Sequence, residues 1–186
     1  LLRYYAQFAQ AIDLESFPSA DQIMDRALGA DRRVLVDLPS QSARLLKRWM
    51  EAGGVVAFAQ EMGVRLVFWH VSDGGFDSVN QLTRVAETFG DTVSFVVVKN
   101  FGRSPDFSQL EESAILGTLR ERGARVVDLP ALDAATMYKI DRFGSSYWAA
   151  IHCVEGELCL SPMERRRAER WLAQTYTALG PVADLL

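Results

Sequence analysis

The sequence has little of the material that several classes of protein need. Cysteine occurs only twice, at Cys153 and Cys159. A metal site needs about four ligands at tighter spacing, so we expect two buried free thiols and a reducing cytoplasm. No apolar stretch reaches the roughly 18 uncharged residues of a membrane span, and the first residues do not resemble a signal peptide. The net charge of −4 argues against a generally basic nucleic-acid binder.

The rest of the composition is typical of an ordinary globular domain. Of the 186 residues, 49% are hydrophobic and 24% are charged. These values allow a sizeable core and argue against disorder or a coiled coil. No repeat, linker or low-complexity segment divides the chain, so we expect one domain over residues 1–186.

Four short runs rich in β-branched residues predict β-strands. They are RVLVDL, VRLVFWHV, VSFVVVKN and ARVVDL, at residues 33–38, 64–71, 93–100 and 124–129. Three of them are almost continuously apolar, which is typical of strands buried on both faces of a parallel sheet. Stretches with helical spacing fill the intervals and break at Gly53-Gly54, Gly90 and Gly123. The alternation predicts an α/β fold with a mainly parallel sheet and helices on both faces.

The last predicted helix has the clearest boundaries. Ser161, Pro162 and Glu164 combine a capping box with proline at the first helical position, and Gly180-Pro181 ends the helix. We expect this helix to dock through an apolar face and to leave its arginines in solvent, with contact to DNA or an anionic lipid surface as the alternative. The apolar face comprises Met163, Ala168, Trp171, Leu172 and Tyr176, and the arginines are Arg165, Arg166, Arg167 and Arg170.

The ends of the four predicted strands carry polar and turn-forming residues. In an open parallel sheet, ligands bind beside the carboxyl ends of the strands, where loops converge. Asp37 at the first end can hold a Mg²⁺-bound water opposite a nucleotide phosphate, although a helix-capping role fits it equally well. At the third end, Asn100 can offer its amide to a purine edge and Lys99 can lay its stem over the base. One such end also suits an ordinary turn, but four on one edge favour a ligand cleft.

Other polar residues fit structural roles better than catalytic ones. His70 lies inside an apolar strand and is expected to be a core histidine. The pairs Glu111-Glu112 and Asp73/Asp77 are expected to be solvated charges that suit the positive end of a helix dipole. No Ser/His/Asp triad is indicated, because a Gly-x-Ser-x-Gly motif is absent from the sequence.

The order of these motifs resembles a known group of proteins. The stretches VLVDLPSQS, VSFVVVKNFG and RVVDLPALD are similar to the deviant-Walker P-loop ATPases of the ParA/MinD superfamily, as are QEMG before the second strand and V-x-x-GG-x-x-x-V at its end. The resemblance runs from about Asp31 to Asp141. It is strongest to the branch of plasmid conjugal-transfer and stability proteins represented by TraL.

The resemblance implies a nucleotide site with ATP and Mg²⁺ as cofactors. Asp37 would act on the Mg²⁺-bound water, and Pro39 and Ser40 would form the switch segment. The base side would consist of Lys99, Asn100, Asp128, Leu129 and Pro130. It further implies a bacterial, cytoplasmic switch ATPase that forms a homodimer with ATP, with DNA or DNA-processing and transfer proteins as possible partners.

One departure from the family is serious. Its members carry a glycine-rich, GKGGxGKS-like phosphate loop, and no such stretch occurs in this sequence. The pairs Gly53-Gly54 and Gly74-Gly75 have no adjacent Lys-Ser or Lys-Thr. We therefore expect the chain, which opens on Leu1, to be an N-terminally truncated piece that binds nucleotide poorly. A non-catalytic partner-binding module with the same fold is the alternative, and a flavodoxin-like or receiver-like domain is a weaker one.

Overall fold

The computed structural model describes residues 1–29, 33–39, 42–90, 92–144, 146–157 and 159–186. Helices and three parallel strands alternate along the second half of the chain. The helices are α1 (Leu2–Tyr5), α2 (Phe17–Ala20), α3 (Gln22–Ala27), α4 (Ala43–Ala52), α5 (Val55–Glu61), α6 (Phe76–Phe89), α7 (Ser108–Glu111), α8 (Ala114–Glu121), α9 (Ala134–Phe143), α10 (Tyr147–His152) and α11 (Pro162–Leu179). The strands are β1 (Val67–Ser72), β2 (Ser94–Asn100) and β3 (Arg125–Leu129), and a 3₁₀ helix spans Gly180–Leu185.

The three strands form one parallel sheet in the order β1-β2-β3. The register pairs Ser72 with Lys99 and Lys99 with Asp128, so all three strands end at the same edge. The predicted α/β fold with a parallel sheet and flanking helices is therefore confirmed for the second, third and fourth predicted strands.

The first predicted strand is wrong. Residues 33–39 belong to no strand, and Val34, Leu35 and Val36 are 38%, 75% and 37% exposed. A strand forms only where its backbone N–H and C=O groups pair with a neighbour. Within the described part of the chain, β1 pairs with β2 alone. The apolar run before Asp37 thus has no sheet partner among the described residues.

The core lies on both sides of β2, because successive side chains of a strand point to opposite faces. Phe95 and Val97 pack into the larger cluster with the apolar faces of α4, α5, α6 and α8. Val96 and Val98 pack on the other face with Val127 and with Val182 of the 3₁₀ helix. Both faces of the sheet are therefore covered by helical segments, as the uninterrupted apolar run of β2 predicts.

The helix boundaries follow the sequence signals with two exceptions. The break at Gly53-Gly54 is confirmed, and Gly54 has a positive φ of 58°. α6 begins at Phe76, and its N-cap Gly75 has no side chain that could cap it. The helical stretch that ends at Gly123 is divided into α7 and α8, because Ser113 accepts a hydrogen bond from the N–H of Leu116 and starts a new helix.

α11 begins with the predicted capping box. The Ser161 hydroxyl accepts from the N–H of Glu164, and a Glu164 carboxylate oxygen accepts from the N–H of Ser161. Ala168 and Trp171 are buried, whereas Met163 and Tyr176 of the predicted docking face are exposed. A second small cluster, which contains Ile151, Leu160 and Trp171, joins α10 to α11; we call it the C-terminal cluster.

The two cysteines are not free thiols. Cys153 and Cys159 form a disulfide with a Cα–Cα distance of 5.4 Å, and both residues are half-buried. The expectation of free thiols was wrong because the spacing of the two cysteines was compared only with that of metal-binding motifs. The connection after α10 turns back at Gly156, whose φ is 134°, and this turn brings the two Cβ atoms together.

The capping box generates a prediction for the pH dependence of stability. Hydrogen bonds from Lys139 and from the backbone and hydroxyl of Ser161 lower the pKa of Glu164 from 4.5 to about 2. Because the folded-state pKa is the lower one, the stabilisation is complete above about pH 4.5 and is lost as pH falls towards about 2. We expect Glu164→Gln to lower the free energy of unfolding by about 1 kcal/mol at pH 7 and by much less at pH 2.

Urea unfolding at a series of pH values measures this difference. Glu87→Gln is the matched control, because Glu87 is exposed on α6 and forms no ion pair within the described residues. An equal loss for Glu164→Gln at both pH values would contradict the charge-based account of the cap.

Candidate functional site at the carboxyl edge of the sheet

Three of the four polar strand ends predicted to form a cleft lie on one edge of the sheet. The residues that follow Ser72, Asn100 and Leu129 leave three parallel, paired strands at neighbouring positions. Asp73, Asn100 and Pro130 therefore share one rim, as the sequence predicts for a parallel sheet. We call this the carboxyl rim.

At the end of β1, small polar side chains form a buried chain of hydrogen bonds. The hydroxyls of Ser72 and Ser78 lie 2.8 Å apart, and Ser78 Oγ lies 3.2 Å from His70 Nε2. Burial lowers the pKa of His70, and the contact with Ser78 and the charge of Asp73 offset only part of that effect. His70 is therefore neutral at pH 7 and joins β1 to α6, which agrees with its expected role as a core histidine.

The loop after β1 touches the loop after β2 through a glycine. Gly74 has a φ of 81°, and its N–H donates to Ser72 Oγ at 3.0 Å. A Cβ at this position would lie 2.5 Å from the carbonyl oxygen of Asp106 and 3.1 Å from the ring of Phe107. The close approach of two backbones thus requires glycine here.

At the end of β2, Asn100 forms a local turn. Its side-chain oxygen accepts from the N–H of Gly102 at 3.1 Å. Among the described residues, nothing hydrogen-bonds to its amide nitrogen, and the side chain is half-buried. Asn100 can therefore offer the N–H groups of its amide to a ligand, whereas its oxygen already accepts a hydrogen bond from Gly102.

Lys99 lies in a network of ion pairs that joins the four elements β2, β3, α7 and α8. Its Nζ lies 2.8 Å from Asp128 Oδ1 and 2.9 Å from Glu111 Oε1, and Arg120 pairs with the other oxygen of Glu111 at 2.7 Å. The Lys99 side chain is only 14% exposed. Burial alone would lower its pKa, but the hydrogen bonds that its ammonium group donates to Asp128 and Glu111 outweigh that effect and raise it. The same contacts, with Lys99 first and Arg120 second, lower the pKa of Glu111.

Two of the residues assigned to the base side use their carbonyl groups within the protein. The Leu129 carbonyl accepts from the N–H of Phe101 at 3.0 Å. The Pro130 carbonyl accepts from the indole N–H of Trp171 at 2.7 Å. The latter bond connects the carboxyl rim directly to α11.

The remaining predicted strand end, which contains Asp37, has a different environment. Asp37 is 65% exposed, and its carboxylate lies 3.1 Å from the terminal ammonium group of Leu1. Pro39 is exposed, and its carbonyl accepts from the N–H and the hydroxyl of Ser42. Ser40, assigned to the switch segment, lies outside the described residues. Asp37 belongs to no strand, so the structure does not place it beside Asp73 on the carboxyl rim.

A cleft of about 550 Å³ lies at the opposite edge of the sheet, which the sequence did not indicate. Its walls come from α5 and from the residues that precede each strand. They include Gln60, Val64, Arg65, Ser94, Phe95, Arg122 and Gly123. The C-terminal ends of α5, α6 and α8 lie beside this cleft, and Arg65 and Arg122 are among its lining residues. None of the described residues assigned to the nucleotide site lines it.

Two further properties of the described residues concern metals and membranes. No group of three or more His, Cys, Asp and Glu side chains there is arranged to hold a metal ion. No helix within the same residues is both long and apolar enough to cross a lipid bilayer.

Sequence reasoning missed the partners of Lys99. Glu111 was expected to be a solvated helix-start charge, but it bridges Lys99 and Arg120. Its spacing of nine residues from Arg120 crosses the break at Ser113, so no helical i,i+4 pattern marks the pair. The only sequence signal was the presence of a lysine at the end of a buried strand, which needs an acidic partner.

Comparison with known proteins gives no relatives. No family model matches this sequence, and no curated protein and no solved structure is significantly similar to it. The functional assignment therefore depends on the residues and on the geometry described above.

The close packing at Gly74 generates a prediction. Gly74→Ala should lower the free energy of unfolding by about 2 kcal/mol or more, because the new methyl group meets the Asp106 carbonyl and the positive φ is strained. Gly117→Ala is the matched control, because Gly117 lies in α8 and an added Cβ would meet nothing within 4 Å. It should raise stability by about 0.5–1 kcal/mol. Urea unfolding of both variants measures the opposite signs, and two equal effects would refute the packing argument.

Proposed function

We propose that this chain belongs to a nucleotide-dependent switch ATPase of the ParA/MinD superfamily, of the plasmid conjugal-transfer type. The observation that carries the proposal is the parallel, in-register sheet whose three strand ends meet at the carboxyl rim. Nucleotides bind at this edge in open α/β sheets. The finer fold is accordingly that of a P-loop NTPase, with a sheet between two helical layers.

The residues before Asp37 also support the proposal. They form an exposed apolar run that has no described sheet partner, and β1 has no described neighbour on its outer edge. In the family, the strand that carries the phosphate loop lies between these two segments. A strand inserted there would cover both edges and would bring Asp37 onto the same rim, where its carboxylate could hold a Mg²⁺-bound water.

Each residue assigned to the base side has a specific role in this proposal. Asn100 keeps one free amide donor for a purine acceptor, and Pro130 is held in place by the Trp171 indole. Lys99 and Asp128 are paired with each other, so their role is to fix the ends of β2 and β3 relative to one another. Leu129 contributes apolar surface, because its carbonyl is used within the protein.

A second function is favoured by one observation. Lys99, Asp128 and the Pro130 carbonyl on the carboxyl rim already have partners in this chain, whereas the Asn100 amide nitrogen has none among the described residues. A rim whose charged groups are paired without a ligand suits a non-catalytic module that keeps the fold and binds a protein partner. This is the alternative to the ATPase.

The remaining properties of the proposal follow from the family. ATP and Mg²⁺ would be the cofactors, ATP would drive homodimer formation, and the partners would be DNA or DNA-processing and transfer proteins. A bacterial cytoplasm would be the location, which agrees with the absence of a membrane-crossing helix among the described residues.

Nucleotide titration with Mg²⁺ and steady-state hydrolysis of ATP test the proposal on the full-length protein. Asp37→Ala should reduce turnover by about 10²–10³-fold while the protein stays folded. Asn100→Ala should weaken ATP binding about fivefold through the loss of one hydrogen bond. Asp25→Ala is the matched control, because Asp25 is exposed on α3, away from the sheet, and it should change neither quantity.

Two results would reject the ATPase and favour the partner-binding module. One is the absence of heat on titration with ATP and Mg²⁺, and the other is turnover that Asp37→Ala leaves unchanged. The codons that precede Leu1 offer a cheap discrimination, since a Gly-Lys-Gly-Gly-type stretch favours the ATPase and an unrelated sequence favours the module.

A further inference from the structure

The disulfide lies at the point where α10 and α11 are held together. Cys153 directly follows α10, and Cys159 lies two residues before Ser161, the N-cap of α11. Ile151 and Leu160, beside the two cysteines, are buried in the C-terminal cluster. A covalent bond here therefore fixes the two buried side chains relative to each other.

The surroundings of the bond are built for a specific closed form. Gly156 has a φ of 134°, a region that residues with a side chain rarely adopt, and a Cβ there would lie 3.6 Å from Cys159 Sγ. The Arg165 guanidinium donates to the Cys153 carbonyl at 2.7 Å. Its buried Nε has no hydrogen-bond partner within the described residues. The disulfide thus cross-links the connection between α10 and α11, and the hydrogen bond from Arg165 joins the start of this connection to α11.

The C-terminal cluster reaches the carboxyl rim. Trp171 packs in this cluster, and its indole N–H donates to the Pro130 carbonyl at 2.7 Å. Leu132, two residues further along the same loop, is also buried in the cluster. The C-terminal cluster therefore contacts the loop that follows β3 directly.

We propose that Cys153 and Cys159 form a reversible redox switch that sets the order of the loop at residues 130–133. Both cysteines are half-buried, so a dithiol reductant can reach the bond. Disulfides of cytosolic proteins are usually transient and redox-sensing. The switch takes its cytosolic setting from the proposed function but does not require nucleotide binding, because its parts are the disulfide, the C-terminal cluster and the bond between Trp171 and Pro130.

The chemistry is thiol–disulfide exchange with a dithiol. One reductant thiolate attacks a cysteine sulfur, forms a mixed disulfide and releases the other cysteine as a thiolate, which takes up a proton. The second reductant thiolate then attacks the reductant's sulfur in the mixed disulfide. This step forms the disulfide of the reductant and releases the second cysteine as a thiolate, which also takes up a proton. Two electrons and two protons pass from the dithiol to the protein.

The test is a titration of the folded chain in mixtures of reduced and oxidised dithiothreitol, with the free thiols counted by maleimide labelling. We expect the count to change reversibly between none and two without unfolding. Reduction should lower the Tm by about 5 °C. It should also speed amide hydrogen exchange at residues 131–133 about tenfold. Thiols that never pair, a bond that opens only on unfolding, or unchanged exchange at 131–133 would each overturn the switch.

Two variants separate the switch from general damage to the fold. Cys153→Ser combined with Cys159→Ser should reproduce the exchange pattern of the reduced protein and ignore dithiothreitol. Gly156→Ala should disfavour the closed form about tenfold in the same titration, because it strains the turn, whereas Gly117→Ala should leave the midpoint unchanged. A midpoint that Gly156→Ala does not move would contradict the role given to the turn.

Discussion

The pairing of β2 with a parallel neighbour on each edge is the constraint on which the rest of the structure depends. Val96 and Val97 are fully buried on opposite faces of this strand, so it carries both apolar clusters of the sheet. The register fixes Ser72, Lys99 and Asp128 side by side. Because the pairing period is two residues, a slip of one position would move every valine to the wrong face and would separate Lys99 from Asp128.

The fold was predictable where a segment is buried by its own neighbours. The apolar run of β2, the break at Gly53-Gly54 and the capping box at Ser161 each specify local structure, and all three are found. The strand predicted before Asp37 fails for the opposite reason. Its β-branched residues satisfy the local preference for extended backbone, but strand formation also needs a hydrogen-bonding partner, and sequence periodicity holds no information about that partner.

The candidate site was predictable in position but not in its contacts. Parallel topology alone places the ends of β1, β2 and β3 together, and the sequence contains that topology in the alternation of its elements. The partners of Lys99 and the acceptor for the Trp171 indole are distant in the sequence, and the disulfide joins two cysteines only six residues apart across a turn. Each depends on the direction that the chain takes after a turn. The break at Ser113 and the positive φ of Gly156 change that direction, but neither is marked in the pattern of apolar residues.

The occupied groups at the carboxyl rim do not by themselves decide between a ligand site and a finished surface. The Lys99 side chain is mostly buried, but its partners Glu111 and Asp128 are 34% and 59% exposed. Such partly exposed ion pairs contribute about 1 kcal/mol or less each. Micromolar binding supplies about 8 kcal/mol, so a nucleotide could displace both pairs and still bind. The phosphate-binding backbone has no such substitute, because it needs several N–H groups aimed at one point. The decision between ATPase and partner-binding module therefore depends on the phosphate side, whereas the base side is compatible with both.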